Sequence, residues 1–187
     1  PEVLAFTRVP GSFGYSGEGF EVLLQALCRR AGQPAGELLD QVLARFGMRA
    51  SSFRWRPAFA DTAAIPHDAD GRSLTKQRPG QARAAGSLHT TLADYSAFAL
   101  MVLNEGADDI FEPAVVLDDS HGRSLGWGTV RTDAGIVAWQ HGDNQGFKHL
   151  VGLRRARGDG IVIFTNGDDG RVLCRAAFRK VLGAQSW

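Results

Sequence analysis

The apolar positions of the 187-residue chain change period once, and that change divides it. Up to about residue 104 they recur at helical spacing. Phe20, Leu23, Leu24, Leu27 and Cys28 line one face of a helix that opens near Gly19 and ends near Gly32. Leu38, Leu39, Val42, Leu43 and Phe46 line a second, with Pro34 suited to its first turn and Gly47 to its end. Thr91-Leu92-Ala93-Asp94 has the form of a capping box, in which a hydroxyl takes up a free N–H of the first turn. It predicts a third helix to about Asn104, with Tyr95, Phe98, Ala99, Val102 and Leu103 on its apolar face. After residue 122 the period becomes two. Residues 125–131 and 136–141 flank Thr132-Asp133-Ala134-Gly135 and read as one hairpin. Residues 147–153 and 160–166 read as another, turning through 157–160. A last helix is predicted over 170–182.

Two stretches break the pattern. Pro10-Gly11-Ser12-Phe13-Gly14 is a turn-rich approach to the first helix. Residues 50–88 hold Pro57, Pro66 and Pro79 and the turn signal Asp70-Gly71, and show no sustained period. So long an irregular stretch in a compact domain reads as a lid or binding loop. Helices first, then an antiparallel sheet closed by a helix, give an α/β fold of the α+β type. It is read as one partial domain: a mainly helical region over 1–122, and the sheet with its helix over 123–187.

Composition excludes more than it assigns. The 44% hydrophobic content and 22% charge are those of an ordinary globular protein able to bury a core. A net charge of +1, with the arginines scattered, implies no pull toward nucleic acid. No apolar run is long enough to span a membrane. Cys28 and Cys174 form no metal or redox motif, and no cofactor is expected. His67-Asp68-Ala69-Asp70 fits no zinc spacing and reads as a solvated turn. Trp127 and Trp139 read as core or cleft wall, and Asp168-Asp169 as the acidic start of the last helix. Pro1-Glu2-Val3-Leu4 is neither a signal peptide nor a natural initiator. The chain is therefore expected to be part of a longer one, with periplasmic and cytoplasmic placement both open.

Several segments occur in an order that carries information. They are the approach ending in Tyr15-Ser16, Phe46-Gly47-Met48, the stretch Ala84-Ala85-Gly86-Ser87-Leu88-His89-Thr90-Thr91-Leu92-Ala93-Asp94, Gly126-Trp127-Gly128, His141-Gly142-Asp143-Asn144-Gln145-Gly146-Phe147 and Ile163-Phe164-Thr165-Asn166. In that order they resemble the serine hydrolases of the β-lactamase/penicillin-binding-protein family, in its class C β-lactamase-like and esterase-like branch. The resemblance covers nearly the whole chain.

It implies a serine that attacks a carbonyl and becomes acylated, with esters, amides or D-amino-acid peptides as small-molecule substrates. Tyr15 would share the proton transfer, and His141 would supply charge or a hydrogen bond beside it. Gly17, Gly142, Asp143 and Asn144 would line the substrate. The backbone N–H near Asn144 would form half of an oxyanion hole. The family places its Ser-x-x-Lys on a buried helix before the tyrosine. Ser73-Leu74-Thr75-Lys76 matches that spacing, but in a polar loop after it, and is not expected to be the nucleophile. The isolated chain is therefore expected to be inactive.

Gly17, Ser87 and Asp143 depart from the family's pattern, and the segment to Gly146-Phe147 is one residue short. A carboxylate at position 143 would oppose a developing oxyanion. Asp143 and Ser87 leave a second reading open, a non-catalytic relative that binds or senses. In the family, N-terminal strands complete the sheet. Without them an exposed edge would invite a homodimer or a strand swap.

Overall fold

The computed structural model describes residues 9, 13–105 and 107–184. Pro10, Gly11 and Ser12 of the turn-rich approach lie outside the described residues.

Four helices form where the period predicts them. α1 spans Gly17–Ala31 and starts two residues earlier than expected, because Ser16 caps it by accepting the Gly19 N–H at 3.1 Å. Gly32 closes it at φ 65°, a conformation that only glycine adopts cheaply. α2 spans Ala35–Arg45, with Pro34 just outside its first turn. α3 spans Leu92–Asn104, and Thr91 caps it by accepting the Asp94 N–H at 3.1 Å. α4 spans Gly170–Leu182.

Among the described residues the sheet has six strands in sequential antiparallel order: β1 Val115–Val116, β2 His121–Arg123, β3 Gly128–Thr132, β4 Gly135–Asn144, β5 Phe147–Arg154 and β6 Asp159–Thr165. The last four are the two hairpins read from the sequence. β1 and β2 were not expected. They are two and three residues long, too short to show alternation, and one of their five residues is Gly122. There a Cβ would come within 2.7 Å of Pro113 and 2.8 Å of Thr129 Oγ1, so close strand approach requires the glycine.

Each face of the sheet carries a core. Val130, Val137, Trp139 and Leu150 pack against Cys174, Phe178 and Leu182 of α4. Ala138, Val151 and Leu153 pack against Ala99 and Leu103 of α3, with Phe111 beside them. Cys174 is thus a buried core thiol, and burial raises its pKa. α1 and α2 pack on each other, but Leu23 and Leu27 stay about half exposed, and only Leu24 and Leu43 are buried.

Residues 47–91 contain only a single turn of 3-10 helix, Pro57–Phe59. They are anchored by side chains instead. Asp94 on α3 accepts the Ala50 N–H at 2.8 Å and the Ser51 hydroxyl at 2.7 Å. Ser52 and His89 exchange both backbone bonds. Ser87, one of the departures from the family pattern, is buried and ties the turn by bonding Arg83 N and O, both at 3.0 Å.

Candidate active site

The site residues gather where β4 outruns its neighbour. β3 opposes β4 only as far as Gly128↔Trp139, whereas β5 opposes it to Asn144↔Phe147. Among the described residues, 140–144 therefore have a strand on one side only. The direction of their backbone groups follows from the ladder. The Arg131 N–H bonds Ser120 O on the β2 side. Alternation then turns Gly128 and Val130 toward β4, and their partners Trp139 and Val137 toward β3. Continued along β4, the same alternation aims the N–H and C=O of His141 and Asp143 at the open side. It aims those of Gln140, Gly142 and Asn144 at β5. In keeping with this, the His141 N–H is taken up at 3.1 Å by the Gln140 side chain, whose amide nitrogen donates to Gly126 O at 2.8 Å. Asn144, expected from the sequence to present its N–H to substrate, instead closes the β4–β5 hairpin against Phe147.

The side chains divide in the same way. Val137, Trp139, His141 and Asp143 share the α4 face. The Trp139 ring stacks on His141 with centroids 5.8 Å apart. The Arg123 guanidinium lies 4.8 Å over Trp139 and 5.0 Å over Phe13. Gly128 sits between them, and any Cβ there would overlap the indole. Burial lowers the pKa of His141, and the positive charges of Arg171 and Arg123 lower it further. The ring is therefore neutral at neutral pH. Its Nδ1 is buried with no hydrogen-bond partner among the described residues.

Asp143 does not stand as a bare carboxylate. One oxygen is 3.1 Å from Lys148 Nζ, and the other pairs with Arg171 on α4. Lys148 also binds Asp168 at 2.6 Å. Asp168 in turn accepts the Gly146 N–H at 2.8 Å, and the Lys148 bond, followed by this one, lowers its pKa. Asp168 thus fixes the tip of the β4–β5 hairpin, a role beyond the acidic helix start read from the sequence. Asp169 is the N-cap residue but makes no side-chain cap bond. On the opposite face, Gly142 lies against His149, where a Cβ would be 3.5 Å from the ring.

Tyr15 stands just ahead of α1, 66% exposed. Its link to the strand is Arg123, whose charge interacts with both Tyr15 and His141. Tyr15 and His141 thus share the charge of Arg123, and Asp143 lies two residues along β4 from His141. Gly17 opens the first turn of α1 and lies against Ala85. Sequence reading missed Arg123, Lys148 and Arg171. No motif marks them, and they reach the site only because β5 pairs with β4, α4 packs on the same face, and Arg123 reaches from β2 across Gly128 of β3.

Neither Ser73 nor Lys76 lies on a helix. Lys76 Nζ bonds Ala64 O at 2.9 Å and sits 4.7 Å over the Phe147 ring, so it does not stack beneath Ser73 in the family's manner. Asp68 accepts the N–H groups of Asp70 and Arg72 at 3.0 and 2.8 Å, which makes 67–72 a self-bonded turn. Among the described residues no His, Cys, Asp or Glu cluster could hold a metal, and no helix is long and apolar enough to cross a membrane.

Comparison with known proteins fits this architecture. A class C beta-lactamase superimposes with a TM-score of 0.77 at 13% identity, over 97% of this chain and 65% of that one. An octameric penicillin-binding protein homologue from Pyrococcus abyssi gives 0.77 at 16% identity, over 96% and 45%. A D-alanine carboxypeptidase from Burkholderia cenocepacia gives 0.74 at 19%, over 90% and 60%. The chain thus spans less than two thirds of each of these structures. No curated protein matches its sequence. The beta-lactamase family model matches residues 7–185, so the chain belongs to the beta-lactamase family of hydrolases.

Proposed function

We propose that this chain forms the tyrosine and strand-edge walls of a serine hydrolase that transfers acyl groups from esters, amides or D-amino-acid peptides through an acyl-serine. The observation that carries this reading is the one-sided edge of β4 at residues 140–144. An extended substrate can add to such an edge as a further strand. The Asp143 N–H faces that side, so the oxyanion donor is assigned to Asp143 rather than to Asn144. Losing one such donor costs roughly 2.7–4 kcal/mol of transition-state stabilisation. The Asp143 carboxylate would oppose the developing charge, but Lys148 and Arg171 offset it. That pairing, with the structural role of Ser87, removes the two observations that favoured a non-catalytic relative. His141, kept neutral, contributes a hydrogen bond rather than charge. Tyr15 moves the proton, and the Arg123 charge interacts with it.

The nucleophile in this reading is a serine of a helical Ser-x-x-Lys. The described residues hold no such helix. The isolated chain therefore does not turn over p-nitrophenyl esters or nitrocefin. In the complete gene product, the rapidly formed acyl adduct maps to a serine other than Ser73. Tyr15→Phe there lowers kcat/KM by about 10²–10⁴. A gene product with no adduct beyond Ser73, or an unchanged Tyr15→Phe, would falsify the reading. The partner proposed for the bare chain is a second copy paired along β6, the last strand of the sheet. A monomeric mass in solution scattering would rule that out.

A further inference from the structure

Ser73 fails as a Ser-x-x-Lys nucleophile, yet the fold gives it a different partner. Its hydroxyl lies 3.3 Å from His67 Nε2. His67 Nδ1 lies 3.1 Å from the backbone oxygen of Asn166. Nδ1 also has the Asn166 side-chain nitrogen at 3.4 Å, but the carbonyl oxygen is nearer and can only accept; with the ring proton on Nδ1 facing it, the lone pair of Nε2 faces the serine. This is the order of a nucleophile, a base and a group that orients the base. His67 is pinned at the backbone as well. Its N–H donates to Asn166 O at 3.0 Å, its C=O accepts the Asp168 N–H at 3.1 Å, and it bridges Ser73 directly. Ser73 itself is exposed to solvent. The pair lies beside the tip of the β4–β5 hairpin, where Pro66 and His67 pack against Gly146.

We propose that Ser73 is an acylation site activated by His67, separate from the β4 edge. With an activated ester, a bond forms between Ser73 Oγ and the acyl carbon as the hydroxyl proton passes to His67 Nε2. The bond to the leaving oxygen breaks, and His67 returns the proton to that oxygen. With a fluorophosphonate, the Oγ–P bond forms and the P–F bond breaks. Fluoride departs, and the proton is left on His67. With no oxyanion donors assigned at Ser73, the developing charge is left to water. Acylation is therefore single and slow, and it suits activated donors rather than peptides.

The test is labelling of the purified 187-residue chain with a fluorophosphonate, followed by peptide mass mapping. The expected adduct is on Ser73. Its rate falls about 100-fold in His67→Gln, as loss of a positioned base implies, and is unchanged in Lys76→Ala. Melting curves of each variant show that the fold persists. A second arm does not depend on hydroxyl chemistry. In Ser73→Cys the new thiol should react with iodoacetamide at least tenfold faster than in Ser73→Cys/His67→Gln, with Cys28 mapped separately. An adduct elsewhere, an equal labelling rate in folded His67→Gln, or equal alkylation of the two cysteine variants would each overturn the assignment.

Discussion

The sheet with α4 and the segment 51–91 make up much of the same molecule, yet they are held by different means. In the sheet, side chains alternate between two apolar cores, and Val137, Ala138, Phe178 and Leu182 are fully buried. In the segment, the innermost residues are polar. Ser51, Ser52 and Ser87 are 1–2% exposed, and each bonds to a neighbouring backbone or side chain. The contrast teaches how the site is built. The sheet fixes where β4 runs and which way its backbone groups point. The segment then docks on the tip of the β4–β5 hairpin through Pro66 and His67, and closes the site's flank. A rigid wall and a tied strap need different kinds of evidence, and they fail in different ways.

The largest effect should come from the apolar side. Phe178 is fully buried between the sheet and α4, and its ring fills the space that a Cβ on Gly152 would take, at 2.7 Å. Phe178→Ala leaves a cavity that neither the strand nor the helix can close, and is expected to cost about 3–5 kcal/mol in urea unfolding. A loss below about 1 kcal/mol would mean that the sheet and α4 do not share one core. Overpacking the same layer from the strand side is the next test. Gly128→Ala would drive a methyl into the Trp139 indole and displace the Arg123 and His141 rings and charges stacked on it. About 1–3 kcal/mol is expected, with a changed near-UV circular dichroism spectrum. Gly80→Ala, where nothing lies within 4 Å, is the control and should stay within about 0.5 kcal/mol of wild type.

Legibility follows the same division. The helices and the two long hairpins were readable because burial there is periodic, and the period is written in the residues. The Thr91 cap was readable because its chemistry is local, spanning three residues. The short strands carried no period. Arg123, Lys148 and Arg171 carried no motif, since their relation to His141 and Asp143 exists only across strands and a helix. The oxyanion donor shows the limit most plainly. Counting along the segment gives a residue, but which N–H faces the cleft depends on which side of β4 lacks a strand. That is a property of the ladder and not of the tripeptide. Within 50–88 the sequence indicated a loop correctly, but not that Ser51 would be buried, because nothing in its neighbourhood announces the Asp94 carboxylate 43 residues away.

That carboxylate gives the strap its own test. Asp94→Ala strands the Ser51 hydroxyl and the Ala50 N–H, both of which lose a charged acceptor. An unsatisfied buried group costs about 1–3 kcal/mol, somewhat less where a neighbour such as Thr90 Oγ1, 2.7 Å away, can take over. Hydrogen exchange should rise at residues 50–53 and 89–91 and stay unchanged in β4 and β5. If exchange rises through the sheet as well, strap and wall unfold as one unit, and the contrast between them fails.

The smallest expected effect is a pH dependence that reports on both regions at once. His141 and His149 lie on the sheet, and His89 lies at the end of the strap. Burial is the first cause of a lowered pKa at all three, and nearby cations add to it at each, with backbone hydrogen bonds partly opposing it at His89 and His149. A lowered folded-state pKa means that the unfolded chain binds protons first. Stability is therefore full above the unfolded histidine value of about 6.5 and declines as pH falls below it, until the folded pKa values are passed. The carboxylates do not mask this window. Asp159 and Asp168 are also lowered, and their contribution is lost only further down, below about pH 4. Urea midpoints between pH 7.5 and 5 should fall in wild type. They should fall less in His149→Gln, which removes the proton uptake from the sheet, and less in His89→Gln, which removes it from the strap. If both variants kept the wild-type slope, the protons would be going elsewhere, and burial of these rings would not be what makes acid destabilising here.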